Sequence, residues 1–125
     1  MRTFSIVQVP ELEIFDLQAK LCSTMANATR LRIIEVLKRG EASVGAIAEA
    51  IGTPVPTTSK HLRQMRDNNV LTSRKDGQTV YYRVRHEKII ECCQLVREVL
   101  IEDLQEQGRI AKAFAARGSA AWTKS

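Results

Sequence analysis

The chain has 125 residues, 44% of them hydrophobic and only 5% aromatic, with a formal net charge of +5. That length holds one domain but not two, and the composition suits a helical core of Leu, Ile, Val and Ala. The positive balance favours a polyanionic partner, and no run approaches the length of a membrane span. Residues 1–9 lack the apolar run and small-residue cleavage site of a secretory signal, so a cytoplasmic location is expected. Cys22, Cys92 and Cys93 are an odd number of cysteines in a chain able to build its own core. Reduced thiols are therefore expected, not a disulfide framework.

In chain order, residues 1–9 read as a flexible N-terminus, residues 10–108 as the structured domain and residues 109–125 as a tail rich in Ala, Gly and Lys/Arg. Pro10 fits the first turn of a helix, where its missing N–H costs nothing. Phe15, Ala19, Cys22 and Ala26 recur at helical spacing, flanked by Ile14, Leu17, Leu21 and Met25. This first helix is predicted to end near Asn27. A second is predicted over residues 28–39, with Leu31, Ile34, Val36 and Leu37 inward and Gly40 as its stop. Ser43 is predicted to cap a third, with Val44, Ile47, Ala48 and Ile51 inward and Gly52 at its end. Thr53 is predicted to cap the fourth, with Pro54 and Pro56 in its first turn, where amide protons are unpaired anyway. That helix runs to about Asp67, turns Leu62 and Met65 inward, and is closed by Asn68 and Asn69.

A β-hairpin follows. Residues 70–75 and 78–85 are joined by Asp76-Gly77, a strong signal for a type I′ turn, in which both central residues need positive φ. Val80, Tyr82 and Val84 alternate with Tyr81, Arg83 and Arg85, so one strand face is apolar and the other polar. A last helix is predicted over about residues 87–108, with a stripe of Ile89, Cys93, Val96, Leu100 and Leu104. A helix that long, with no sheet to cover it, needs something against its apolar side, and a second copy of the chain is the economical answer.

A short helix, a turn, a basic helix and a basic hairpin, in that order, outline a winged helix-turn-helix. The fold class is mainly α with a small β-hairpin wing, in the order α-α-α-α-β-β-α. Between Thr53 and Arg85 lie seven basic residues and two acids, so about a quarter of the chain holds a formal excess equal to that of the whole. A charge that local points to phosphate contact and makes double-stranded DNA the expected partner. Candidate DNA contacts on the fourth helix are Thr57, Thr58, Ser59, Lys60, His61, Arg63 and Gln64, short or medium side chains that reach base edges and phosphates. On the hairpin they are Arg74, Lys75 and Gln78.

Three segments carry a specific resemblance: MANATRLRIIEVL, EASVGAIAEAIG and SKHLRQMRDNNVLTSRKDGQTVYYRV. Together they resemble the ArsR/SmtB family of bacterial and archaeal metal- and stress-sensing repressors, over residues 12–102. The resemblance implies a homodimer built through the first and last helices and release from operator DNA when an inducer binds, and the two-fold symmetry of such a dimer predicts an inverted-repeat operator. Two departures stand out. Family recognition helices often begin Ser-Gln-Ser, where this chain has Pro54, Val55 and Pro56, so base contacts are expected from Thr57, Thr58, Lys60 and His61. The sensor positions differ too. One family site places cysteines in the helix that begins here at Glu41-Ala42-Ser43-Val44-Gly45, where there is no thiol. Another uses oxygen and nitrogen ligands on the last helix. The matching residues are His86, Lys88, Val99 and Glu102, and lysine and valine cannot ligate a divalent ion there, so no zinc site of that type is expected.

The thiols remain. In the implied fold, Cys22 and the Cys92-Cys93 pair lie on the two dimer helices and can approach within or between subunits. Three thiolates suit As(III) or another thiophilic metal ion, and two can form a disulfide or polysulfide bridge under oxidant or reactive sulfur. Cys92 and Cys93 point about 100° apart on a helix, so one of them with Cys22 is the better pair, and Cys93 lies on the apolar stripe. Three small buried hydrophobes with no sensing role are the alternative. An enzyme is not expected. A small thiol enzyme would need a Cys-x-x-Cys, a phosphate loop or a base, all absent, and a dimerising module of a larger enzyme would need a catalytic domain for which the chain has no room.

Overall fold

The structure is a computed structural model describing residues 11–108 and residue 112. Pro10, the expected N-terminal segment and all of the expected tail except residue 112 lie outside the described residues. The elements are α1 (Glu11–Met25), α2 (Ala28–Leu37), β1 (Ala42–Ser43), α3 (Val44–Ile51), α4 (Val55–Asp67), β2 (Leu71–Asp76), β3 (Thr79–Val84) and α5 (Glu87–Glu106). The chain divides into two compact units at residues 90/91, within α5. Among the described residues no helix is long and apolar enough to cross a membrane.

The core of the first unit is formed by Ile33, Ile34 and Leu37 of α2, Ile47 and Ala48 of α3, Leu62 and Met65 of α4, and Val70, Leu71 and Tyr82 of the hairpin. On α2 the inward face is rotated from the predicted one. Ile33 joins Ile34 and Leu37, Val36 is half-buried, and Leu31 is exposed. Arg30 precedes Ile33 and Ile34 by three and four positions. It therefore lies on the same inward face, at the end where the core opens toward solvent. Asn27 caps this helix, its side chain accepting from the Arg30 amide at 3.1 Å.

Ser43 caps α3 as expected, accepting from the Ala46 amide at 3.1 Å. Gly52 ends that helix in the left-handed conformation at φ 66°. The cap of α4 is not as predicted. Pro54 occupies the cap position and no side chain caps the helix, while Pro56 sits in its first turn. Thr53 is one residue too early to cap. Its amide donates to the Ala48 carbonyl at 3.1 Å, and its carbonyl accepts from the Thr58 hydroxyl at 3.4 Å. Asn69, at φ 66°, turns the chain out of α4.

The hairpin is part of a three-stranded antiparallel sheet in the order β1-β3-β2. The short β1, which pairs Ala42 with Tyr82 and Ser43 with Tyr81, has too little apolar alternation to show in the sequence. Asp76 pairs with Thr79, so the two loop residues are Gly77 and Gln78, one position later than predicted. Gly77 has φ 63° and Gln78 is not among the residues with positive φ. That pattern, glycine first and alone at positive φ, is a type II′ turn and not the predicted I′.

α1 and the second unit share one property. Phe15 and Leu17 on α1 are exposed, as are Leu95, Val96, Val99 and Leu100 on α5. Of the predicted α5 stripe, Ile89 is buried and Cys93 and Leu104 are half-buried. The remaining two, Val96 and Leu100, stand in solvent in the single chain.

Candidate nucleic-acid interface

The α4 surface follows from its burial pattern. Thr58, Leu62 and Met65 recur at helical spacing and are each 0% exposed. The opposite face presents Lys60, Arg63 and Gln64, with Thr57 exposed one turn earlier. Ser59 and His61 lie half-buried on its flanks. This removes Thr58 from the expected base-contacting set. Its hydroxyl is turned to the Thr53 carbonyl inside the fold, where it cannot reach a groove. Ser59 is held by Arg63, whose Nη1 donates to the serine Oγ at 2.6 Å.

Arg30 organises this helix from below, a role with no local signal in the sequence. Its Nε donates to His61 Nδ1 at 3.0 Å, its Nη1 to the Thr24 carbonyl at 3.1 Å, and its Nη2 to Gln64 Oε1. One planar guanidinium therefore ties the last turn of α1 to two side chains of α4, a task its rigid fork suits. Burial, then the nearby Arg30 charge, then Lys60 push the His61 pKa below the ordinary histidine value. His61 is accordingly neutral at pH 7, with Nδ1 as acceptor and the proton on Nε2.

The wing has its own brace. Arg74 donates to both carboxylate oxygens of Glu41, at 2.8 and 2.7 Å. Its guanidinium also lies 4.5 Å from the centroid of the Tyr81 ring, directly across the hairpin. Asp76 approaches it at 3.9 Å. The hydrogen bond from Arg74 holds the Glu41 carboxyl below the usual carboxylate range. Lys75, Gln78, Arg83 and Arg85 are exposed. Glu41 had no signal in the sequence, because its partner lies 33 residues away across β1 and β3.

Cys22 and Cys92 are exposed and Cys93 is half-buried, all as free thiols. Burial, with a smaller contribution from Cys92, pushes the Cys93 thiol up. The thiolate is the reactive form, so burial works against the preference for Cys93 drawn from the stripe. Among the described residues no three His, Cys, Asp or Glu side chains are grouped to hold a metal ion.

A helix packed on one face and polar and basic on the other, followed by a braced β-ribbon, defines a winged helix-turn-helix DNA-binding protein. A family model described as a helix-turn-helix domain matches residues 25–74. The nodulation protein NolR of Rhizobium meliloti is 31% identical over 88 residues, which cover 70% of this chain and 72% of that protein. The arsenical resistance operon repressor of Staphylococcus aureus is 32% identical over 62 residues, covering 50% and 60% of the two chains. Among solved structures, the homodimeric winged helix-turn-helix DNA-binding domain of Mb0332 from Mycobacterium bovis, a possible ArsR-family transcriptional regulator, superposes with a TM-score of 0.70. It is 31% identical and covers 77% of this chain and 89% of that one. The chain belongs to the ArsR/SmtB family of winged helix-turn-helix transcriptional repressors, and it is not an enzyme.

Proposed function

We propose that the protein acts in the cytoplasm as a homodimer that blocks transcription from an inverted-repeat operator and leaves it when a thiol-reactive inducer arrives. The observation that carries the DNA half is α4 itself, with its inner face locked in the core and Lys60, Arg63 and Gln64 outward. Each α4 enters a major groove and each wing lies along the adjacent backbone or minor groove. Two-fold symmetry then places half-sites roughly 34 Å apart or a multiple of that. The dimer reading rests on the homodimeric relative and on the apolar side chains that α1 and α5 each leave exposed.

The inducer half rests on the thiols. Cys22 lies on α1 and Cys92 on α5, the two helices of the proposed dimer layer, and both are free thiols. A relative named as an arsenical resistance repressor supports a soft metalloid such as As(III), and thiolates are the ligands such an ion prefers. Reactive sulfur or an oxidant is the second inducer class these thiols suit. Thr24, whose carbonyl Arg30 holds, lies two residues beyond Cys22, so a change at that thiol has a short path to α4.

A gel shift on the DNA upstream of the protein's own gene tests both halves. Binding at low salt, released by arsenite or polysulfide, is expected. The triple variant Cys22→Ser/Cys92→Ser/Cys93→Ser is expected to bind equally and to ignore both reagents. Release of that variant by either reagent would refute the thiol reading, and no binding by the reduced wild type would refute the repressor reading.

A further inference from the structure

We propose that Arg30 is a positioning residue that presets the hydrogen-bond polarity of α4, so that His61 and Gln64 offer donors to the DNA and select guanine at the base step they face. The inference rests on the DNA-reading role of α4 proposed above and deepens it.

The chemistry follows from what a guanidinium can do. Arginine donates and never accepts. The imidazole atom at 3.0 Å from Arg30 Nε must therefore be an unprotonated nitrogen, and it is Nδ1. The proton of neutral His61 then sits on Nε2, on the far side of the ring. The same logic fixes the Gln64 amide. The atom facing Arg30 Nη2 must be the oxygen, which turns the amide NH2 away from Arg30. The contact of Arg30 Nη1 with the Thr24 carbonyl pins the third corner of the fork, so the guanidinium is not free to rotate off its two targets.

His61 and Gln64 are three apart and so neighbours along one edge of α4. Together they present N–H groups. In the major groove guanine shows two acceptors, N7 and O6, whereas adenine pairs an acceptor with a donor. An untethered glutamine matches adenine with its oxygen and nitrogen together. Here the oxygen is engaged by a cation, and the adjacent histidine has no acceptor left to offer. The pair therefore fits guanine and opposes the N6 donor of adenine. A lysine at position 30 would keep the charge but could not bridge three acceptors from one plane.

The first measurement needs no DNA. Long-range proton–nitrogen NMR correlations of the His61 ring in the full chain are expected to show a single tautomer protonated at Nε2. Arg30→Lys and Arg30→Met are expected to lose it, with the amide spectrum reporting whether each variant stays folded. The second selects duplexes from a randomised library. Wild type is expected to enrich a guanine in each half-site, and replacing it with 7-deazaguanine, which lacks the N7 acceptor, is expected to weaken binding on the order of tenfold. Arg30→Lys is expected to accept adenine there within a few-fold of guanine. Wild-type His61 protonated at Nδ1 would overturn the proposal. So would an Arg30→Lys variant that is folded and keeps the same guanine preference. If both variants unfold, the wild-type tautomer and the 7-deazaguanine result decide the matter alone. A wild type that binds no duplex at low salt fails the repressor reading instead, and the tautomer still reports on Arg30.

Discussion

α4 and the wing are both basic, yet the fold treats their charge in opposite ways. α4 is anchored by three side chains with no exposed surface, and although Arg66 pairs with Asp67 at 3.2 Å, among the described residues no acid pairs with Lys60 or Arg63. Beyond Leu71 and Thr72, every residue of β2 is exposed, and Arg74 is spoken for by Glu41, with Asp76 close by. Formal charge counted along the sequence therefore overstates what the wing offers to phosphate and describes the helix fairly. The helix is built to hold side chains in one orientation. The wing is a lightly supported arm whose best-placed arginine serves first as its strut.

The sharpest way to test that contrast is to truncate one side chain on each. Leu62→Ala deletes a fully buried side chain at the centre of the α4 packing and is expected to destabilise the protein by about 2–5 kcal/mol in urea unfolding. Lys75→Ala on the exposed strand is expected to change stability by no more than about 0.5 kcal/mol. Equal effects would mean that α4 is not the better-anchored element.

Binding to DNA separates the two regions next. Lys60→Ala is expected to weaken binding to all sequences and to lower the salt slope by about one. Arg74→Ala is expected to lower it less, because its charge is already offset by Glu41. Glu41→Gln releases that offset and is expected to steepen the slope. A salt titration in which Arg74→Ala matches Lys60→Ala would show that Glu41 does not offset Arg74.

The same contrast explains what was legible in the sequence. Periodicity exposed Leu62 and Met65 and the existence of all five described helices, because apolar spacing directly records which face is buried. Ser43 and Gly52 were legible as caps because their roles depend on local chemistry alone. The errors lie where a neighbour distant in sequence decides. Leu31 was expected inside, but the packing of α2 selects Ile33 instead. Thr58 looked like a polar contact and is a buried packing residue, since a threonine can satisfy its hydroxyl on a nearby carbonyl. The role of Arg30 leaves no local signal, because its partners His61 and Gln64 lie 31 and 34 positions on. Glu41 and β1 were invisible for the same reason.

The wing turn gives a smaller effect. Gly77 has φ 63°, and a Cβ added there would meet nothing within 4 Å. Gly77→Ala therefore carries only backbone strain, about 1–2 kcal/mol for an L-residue in that region. The loss should show as fraying of the cross-strand amide signals around Asp76 and Thr79, with α4 unaffected. An α4 that loosened along with the hairpin would show that the two regions are coupled more closely than their separate braces imply.

Acid acts on each brace through a different group. His61 has its pKa lowered by burial and by the cations Arg30 and Lys60. The unfolded chain therefore takes up a proton first, near pH 6.5, and stability falls as pH drops from there through the folded value. The protonated ring also loses the Nδ1 lone pair that Arg30 uses, so the α4 brace opens in this window. Glu41 is lowered as well, by its bond to Arg74. Its contribution is intact above the ordinary carboxylate range and is lost only as pH falls below it. The Arg30 Nε–H signal is accordingly expected to shift or vanish together with protonation of His61, below the ordinary histidine range, and the Arg74 Nε–H signal to follow protonation of Glu41 instead. An Arg74 signal that tracked His61, or an Arg30 signal indifferent to it, would show that the helix and the wing do not hold their charges by separate means.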